Sequence, residues 1–257
     1  MSEHYEWPAD VRTLSIDVGG SGVKASILSA DGEMLTERVR VPSPYPVTPA
    51  RLVDAMASLV DGLGDFDRVS VGYPALVRDG RIHHVVAFSK PKYGGKIDPK
   101  LDAMWRGFDL QTAVQDTFHK PTLVANDADV QGCAVIKGEG LEFVITLGTG
   151  VGTALFHNGA LLPHLELGHA PYRKHQTFEE RLSNVARKSI GNKRWSTRVM
   201  RAIDFYDQFL FFDTLYLGGG NSKHLPSKKL PKNATVVPNT AGITGGVALW
   251  EKSVRLG

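Results

Sequence analysis

The sequence predicts a duplicated α/β fold with a cleft between its halves, and three observations carry that expectation. One device is spelled twice: an apolar strand, a glycine-rich turn with a hydroxyl residue, a second strand, and an Asp-Gly or Asn-Gly hairpin signal. It runs from Asp17-Val18-Gly19-Gly20-Ser21-Gly22-Val23-Lys24 to Asp31-Gly32, and again from Leu147-Gly148-Thr149-Gly150-Val151-Gly152 to Asn158-Gly159. Strands and helices then follow each glycine turn in the same order. The length, 257 residues, suffices for two modest domains or one large one.

Taken in order, Thr13 to Val18 reads as a buried strand, Lys24 to Ala30 as a second, and Met34 to Val41 as a third with alternating pattern. After the proline-rich Pro42 to Pro49, Thr48 is an N-cap with Pro49 at the first helical position. Leu52, Val53, Met56, Leu59, Val60 and Leu63 recur at helical spacing, and Gly64 marks the stop. Arg68 to Tyr73 is a strand ended by Pro74. Val77 to Trp105 reads as an irregular loop or insertion, and long loops inside compact domains are often functional. Asp109 to Phe118 is read as a helix. Pro121 to Ala125 is a short strand delivering Asn126-Asp127-Ala128-Asp129 at its C-terminal end, the edge where open α/β sheets bind ligands. A helix from about Asp129 to Lys137 follows. Glu142 to Leu147 restarts the strand–loop–strand theme. Thr177-Phe178-Glu179-Glu180 is a capping box opening a helix to about Lys188. Lys193 to Phe212 is read as a helix, Asp213 to Leu217 as a strand entering Gly218-Gly219-Gly220-Asn221-Ser222, and Ala241 to Val254 as the last helix.

Composition narrows the class. Apolar content of 42% and charged content of 22% are those of an ordinary globular protein. No apolar run approaches the roughly 18 residues that span a bilayer. Met1 to Asp10 is polar and acidic, unlike a secretory signal. The single cysteine, Cys133, excludes an internal disulfide and a cysteine-cluster zinc site. A net charge of +3 is too mild to argue for nucleic acid. A cytoplasmic protein with neither membrane nor nucleic-acid partner is expected.

The glycine turns are read as phosphate cradles, because glycine reaches positive φ and lets backbone N–H groups approach an anion. Ser21 and Thr149 add hydroxyls; Lys24 adds charge or turns to solvent. The competing reading is two plain hairpin turns. There is no P-loop sequence, and neither turn opens directly into a helix as a dinucleotide site does. Asp17 beside phosphates is useful if it holds Mg²⁺ through water; otherwise it caps its own turn. Asp127 is the candidate general base for a hydroxyl nucleophile, with Asn126 beside it as donor and acceptor, or the pair caps a helix. Asp129 is assigned to the helix dipole. Glu166 and His169, separated by Leu167-Gly168, can converge on vicinal hydroxyls. His164, His169 and His175 lack zinc-motif spacing. Glu179 stays free once Glu180 serves the capping box, and is a further candidate for sugar contact.

Together, Asp17-x-Gly19-Gly20-Ser21-Gly22-x-Lys24, Gly72-Tyr73-Pro74, Asn126-Asp127-Ala128-Asp129, Leu147-Gly148-Thr149-Gly150-x-Gly152, Glu166-x-Gly168-His169 and Gly218-Gly219-Gly220-x-Ser222 resemble the ROK family of sugar kinases. The family lies within the actin/hexokinase/Hsp70 superfamily, and its polyphosphate-using branch is the most similar. The resemblance implies a duplicated actin-like ATPase (ribonuclease H-like) fold. The N-terminal domain would cover 1–124, completed by the C-terminal helix 241–257, and the C-terminal domain 125–240. It implies glucose or another hexose phosphorylated at the 6-hydroxyl, polyphosphate and/or ATP as donor, and Mg²⁺ at Asp17. Asp127 is then the base, with Asn126, Glu166, His169, Glu179, Gly72 and Pro74 on the sugar. Gly19, Gly20, Ser21, Gly22, Lys24, Gly148, Thr149 and Gly150 take donor phosphates, with Gly218, Gly219 and Gly220 near the donor's far end. A homodimer is usual for such proteins.

Two departures stand out. The segment from Ala170 lacks the cysteines of the family's usual zinc site, so zinc is not expected and polyphosphate gains weight as donor. Phe88 to Pro99 looks inserted, and Lys100 stands where the branch places an asparagine ahead of Leu101-Asp102-Ala103-Met104-Trp105. That motivates a different acceptor, such as mannose or N-acetylmannosamine. A sugar-binding protein without turnover is a third reading; repressors of the family carry an added N-terminal helix-turn-helix, for which a first strand near Thr13 leaves no room. Finally, Lys223, Lys228, Lys229 and Lys232 follow the third glycine turn, and Arg187, Lys188, Lys193 and Arg194 lie between two helices. Such runs attract a polyanion or form solvated faces.

Overall fold

The computed structural model describes residues 6–85, 87–238 and 241–252. The chain divides into two compact units, Met1–Ala134 with Gly242–Gly257, and Val135–Ala241. No helix among the described residues is long and apolar enough to cross a membrane.

The first unit runs β1 (Thr13–Gly19), β2 (Gly22–Leu28), β3 (Val39–Val41), α1 (Pro49–Val60), β4 (Arg68–Tyr73), β5 (Leu76–Arg78), β6 (Arg81–His84), α2 (Pro99–Trp105), α3 (Leu110–Phe118), β7 (Thr122–Asn126) and α4 (Asp127–Cys133). Its main sheet has the order β3-β2-β1-β4-β7. β1 pairs antiparallel with β2 and parallel with β4, which pairs parallel with β7. The period-2 alternation of β1 explains its place at the centre. Leu14, Ile16 and Val18 enter a core with Leu52 and Met56 of α1 and Val114 of α3, all fully buried. Thr13 and Ser15, on the opposite face, are buried as well. A strand covered on both faces belongs inside a three-layered α/β/α unit.

The second unit repeats the plan with β8 (Leu141–Leu147), β9 (Val151–His157), β10 (Ala160–Leu161), β11 (Pro171–Arg173), β12 (Gln176–Thr177), α5 (Phe178–Leu182), α6 (Asn184–Ile190), α7 (Asn192–Leu210), β13 (Thr214–Gly218) and β14 (Ala234–Val236). Its sheet has the order β10-β9-β8-β13-β14. Phe143, Ile145 and Leu147 of β8 meet Trp195, Val199, Ile203 and Tyr206 of α7. α8 (Ala241–Lys252) then returns to the first unit. Ser15 Oγ donates to Ile243 O (2.7 Å), Ser70 Oγ to Gly246 O (2.6 Å), and Trp250 Nε1 to Ser70 Oγ (2.9 Å).

Several expectations are corrected. A boundary between 124 and 125 would cut through β7, which is hydrogen-bonded to β4 in the first sheet. The third strand shrinks to Val39–Val41, with Met34 making one bridge to Leu28. The stretch 77–105 is no structureless loop. Asp79 and Gly80, with φ of 49° and 71°, close the β5/β6 hairpin, and the Asp98 side chain caps α2. The helix expected from Asp129 starts at Asp127 and ends at Cys133. The capping box of Thr177 and Glu180 is present, but its helix stops at Leu182, because Ser183 (ψ 164°) leaves helical geometry and its side chain caps α6. The end assigned to the last helix, Val254, lies outside the described residues.

Candidate active site

In the first unit β1 and β2 pair Asp17 with Lys24 and Gly19 with Gly22, so Gly20-Ser21 forms a two-residue turn. Lys24 Nζ lies 2.6 Å from Asp17 Oδ2. The lysine thus folds across the strand pair onto the carboxylate. Three carbonyls of the turn are held by side-chain donors: Gly19 O by Ser43 Oγ (2.7 Å), Gly20 O by the Tyr45 hydroxyl (2.9 Å) and Ser21 O by Arg40 Nη2 (3.1 Å). None of Gly19, Gly20 and Gly22 has positive φ. The conformational reason given for these glycines is therefore corrected: Gly22 is required by close approach, since a Cβ there would lie 2.9 Å from the Arg40 guanidinium and Val41 O.

At the end of β7, Asn126 is buried, accepts from Ala128 N at Oδ1 (2.7 Å) and donates Nδ2 to Ala75 O (2.9 Å). It both caps α4 and ties that helix to Ala75, just beyond the Gly72-Tyr73-Pro74 end of β4. Its second amide hydrogen has no partner in those bonds. Asp127 is half-buried at the first position of α4, its Oδ1 accepting from Ala128 N at 3.0 Å. Gly72, on the neighbouring strand, lets the backbone of Asp127 pack against it: a Cβ there would sit 3.4 Å from Asp127 Cα. Asp129 is buried in the first turn of α4.

In the second unit Gly148-Thr149-Gly150 joins β8 to β9, with Gly148 N donating to Gly150 O (3.0 Å) and Thr149 exposed. Gly148 and Gly150 also have no positive φ. Gly148 O is held from two sides, by Asn184 N (3.1 Å) and by Asn221 Nδ2 (2.9 Å). The third glycine turn packs directly behind: Gly219 has φ of 79°, and a Cβ there would come within 2.5 Å of Leu147 O. Gly218 ends β13 as a buried residue and Gly220 is exposed.

A cluster of carboxylates and imidazoles forms beside Gly150. Glu166 precedes the short helical turn Leu167–His169. His169 Nε2 lies 3.4 Å from Glu179 Oε2. The hydrogen bond that Glu179 accepts from His169 raises the His169 pKa above its ordinary value, burial opposes this, and the Glu166 charge adds to the rise. A Cβ on Gly150 would lie 3.1 Å from Glu179 Oε1, so this carboxylate sits beside the glycine turn as well. Gly168 makes the arrangement possible, since a Cβ there would meet Val151 O at 2.5 Å. One member was missed: His164 is buried, and its Nε2 lies 3.6 Å from Glu166 Oε1. The available signal was the two-residue spacing of His164 and Glu166, which puts both on one side of an extended chain. Asn184 and Asn221 were also missed, because nothing in their local sequence names Gly148 O as a partner.

For Mg²⁺, the donors fit in one limited sense. Among the described residues no three His, Cys, Asp or Glu side chains gather around one point. A single carboxylate suits Mg²⁺, which keeps most of its water and takes further oxygens from phosphate. At Asp17 the ion would share the carboxylate with Lys24.

The twin sheets, each with a glycine turn after its first strand, define a duplicated actin-like ATPase fold. The ROK family pattern matches residues 13–180, and the chain belongs to that family. It is 29% identical over 247 residues to the polyphosphate glucokinase of Mycobacterium tuberculosis (strain ATCC 25618 / H37Rv), covering 90% of this chain and 88% of the relative. It is 32% identical over 155 residues to the N-acetylmannosamine kinase of Escherichia coli (strain SE11), covering 58% of this chain and 49% of that one. Among solved structures, the inorganic polyphosphate/ATP-glucomannokinase of Arthrobacter sp. strain KM superposes with a TM-score of 0.78 at 28% identity, over 93% of this chain and 97% of the other.

Proposed function

We propose that this chain is a hexose kinase, transferring a phosphoryl group from inorganic polyphosphate and/or ATP to the 6-hydroxyl of glucose, as a homodimer in the cytoplasm. The observation that carries the reading is the position of Glu179, 3.4 Å from His169 and beside the Gly148–Gly150 turn. It puts groups suited to sugar hydroxyls beside a backbone suited to phosphate. The relatives named for polyphosphate and for glucose or glucomannose phosphorylation support it.

In this reading Asp127 takes the proton of the attacking hydroxyl. The sugar oxygen bonds to the terminal phosphorus, the bond to the bridging oxygen breaks, and the donor leaves one phosphate shorter with the electron pair. Asn126, Glu166, His169 and Glu179, with Gly72 and Pro74, hold the sugar. The turns Gly19–Gly22 and Gly148–Gly150, with Ser21, Thr149 and Lys24, hold the donor phosphates, and Gly218–Gly220 its far end. Mg²⁺ at Asp17 would supply charge neutralisation on those phosphates.

A second acceptor is favoured by one observation. Lys100, where an asparagine is expected, is an exposed residue in the first turn of α2, its backbone N–H held by Asp98 Oδ1 (2.8 Å). With the N-acetylmannosamine kinase relative, this motivates a hexose other than glucose. The test is a coupled assay of purified protein with a panel of hexoses against polyphosphate and ATP separately. Sugar 6-phosphate from glucose is expected. In Asp127→Asn, turnover should fall roughly a hundred- to ten-thousand-fold while sugar binding persists. Absence of product with every donor and sugar, or full activity in Asp127→Asn, would overturn the reading.

A further inference from the structure

Two basic stretches that the sequence separates meet in the second unit. Arg187 of α6 reaches Asn192 Oδ1 with Nη1 (2.7 Å) and Asn184 Oδ1 with Nη2 (2.9 Å), leaving its buried Nε without a hydrogen-bond partner. Asn192, at the start of α7, lies with Nδ2 3.4 Å from His224 Nδ1, and Ser196 Oγ donates to His224 O (3.2 Å). His224 closes the short turn Ser222–His224 that follows the third glycine turn, with the exposed Lys223 beside it. Three groups that carry or can take positive charge thus share one surface. Among the described residues Arg187, Lys223 and His224 make no ion pair with a carboxylate. The first turns of α6 and α7 hold no acid, and neither does the turn bearing His224.

The position of this group matters as much as its charge. Asn184, which orients Arg187, donates its backbone N–H to Gly148 O. Asn221, two residues before Lys223, donates Nδ2 to the same carbonyl. The cationic group is therefore built onto the backs of the second and third glycine turns. Left without an anion, such a concentration of charge is self-repelling. Burial, with the Arg187 and Lys223 charges adding to it, holds the His224 pKa below its ordinary value.

We propose that Arg187, Lys223 and His224 form a subsite for the internal phosphates of an inorganic polyphosphate chain, beyond the reach of a three-phosphate donor whose terminal phosphoryl group is bound at the Gly148–Gly150 turn. This rests on the reading of the chain as a phosphotransferase and adds a donor preference to it. A polyanion here pairs with Arg187 and Lys223 and favours the imidazolium form of His224, so binding takes up a proton and weakens as pH rises. Chain length is read directly, because a short donor ends before it reaches the cluster.

The test compares long-chain polyphosphate, tripolyphosphate and orthophosphate on the intact protein. Lys223→Gln removes charge at an exposed site, whereas His224→Gln also gives up the contact with Asn192 of α7 and Arg187→Gln loosens the α6–α7 junction. In Lys223→Gln the KM for long-chain polyphosphate should rise about tenfold, the worth of one charge-assisted contact, with a much smaller change for tripolyphosphate and none for the sugar. In His224→Gln the upward drift of that KM with pH should disappear. Direct titration of the protein with fluorescently labelled polyphosphate, without sugar, should show the same weakening and a shallower salt dependence. Equal effects on long and short donors, or no effect, would overturn the subsite. Absence of turnover in wild-type protein with labelled chain still bound and still lost in the variants would overturn the kinase reading alone.

Discussion

Glu179 joins two kinds of chemistry in one side chain, with one oxygen 3.4 Å from His169 Nε2 and the other against the Gly150 backbone. Because the hydrogen bond to Glu179 is the largest cause of the raised His169 pKa, the sign of its pH dependence follows. The protonated pair stabilises the fold fully below the ordinary histidine value and loses that contribution as pH rises through the raised folded value. Both side chains are 37% exposed, so solvent screens the pair and its effect on stability is small. The titration itself is the better readout. His169 followed by NMR should titrate above about 6.5, the unperturbed value, and Glu179→Gln should bring it down. An unchanged midpoint in Glu179→Gln would remove Glu179 as the cause. At this scale the site residues were legible by type and order in the sequence. Their partners were not: Asp17 meets Lys24 because the β1/β2 register places them opposite.

At the level of elements, glycine serves here mainly to let backbones touch. The two phosphate-type turns use none of the positive φ that first explains a Gly-Gly-Ser-Gly sequence. Gly168 shows the cost most simply, since its neighbour is the backbone oxygen of Val151, which cannot rotate away. Gly168→Ala should destabilise the second unit by about 1–3 kcal/mol, as overpacking does, and weaken sugar binding by displacing His169. Chemical denaturation with sugar titration on the same protein measures both; unaltered stability would show that the turn can shift freely. Strand β4, the Thr48 cap of α1 and the Thr177 capping box were readable locally, because each is set by residues within one turn or one pleat. The α5/α6 break was not, since the Asn184 N–H leaves the helical ladder for Gly148 O, a distant carbonyl.

On the scale of the whole molecule, the chain completes its first unit with its last described helix. α8 lies across the serine face of the central strands, where Ser15 and Ser70 bond its carbonyls. Trp250 fastens this arrangement: its ring meets Trp7 edge-on at 5.3 Å and Arg68 at 5.2 Å, and its Nε1 donates to Ser70 Oγ. Trp250→Ala should cost about 3–5 kcal/mol, the usual loss for a buried aromatic, and should lower the melting temperature of the first unit ahead of the second. Hydrogen exchange resolves the two units; protection of β1 and β4 equal to wild type would show that α8 is dispensable there.

The sequence by itself determined the doubled plan of strand, glycine turn and strand, the helix caps, and the residue types of the site, because periodicity and turn chemistry act over a few residues. Tertiary structure alone decided who meets whom. It put Asn126 between α4 and Ala75, Gly148 O between Asn184 and Asn221, and the Arg187 stretch against His224. Such pairings depend on strand register and on how distant elements pack, and no local pattern encodes a partner that lies tens of residues away.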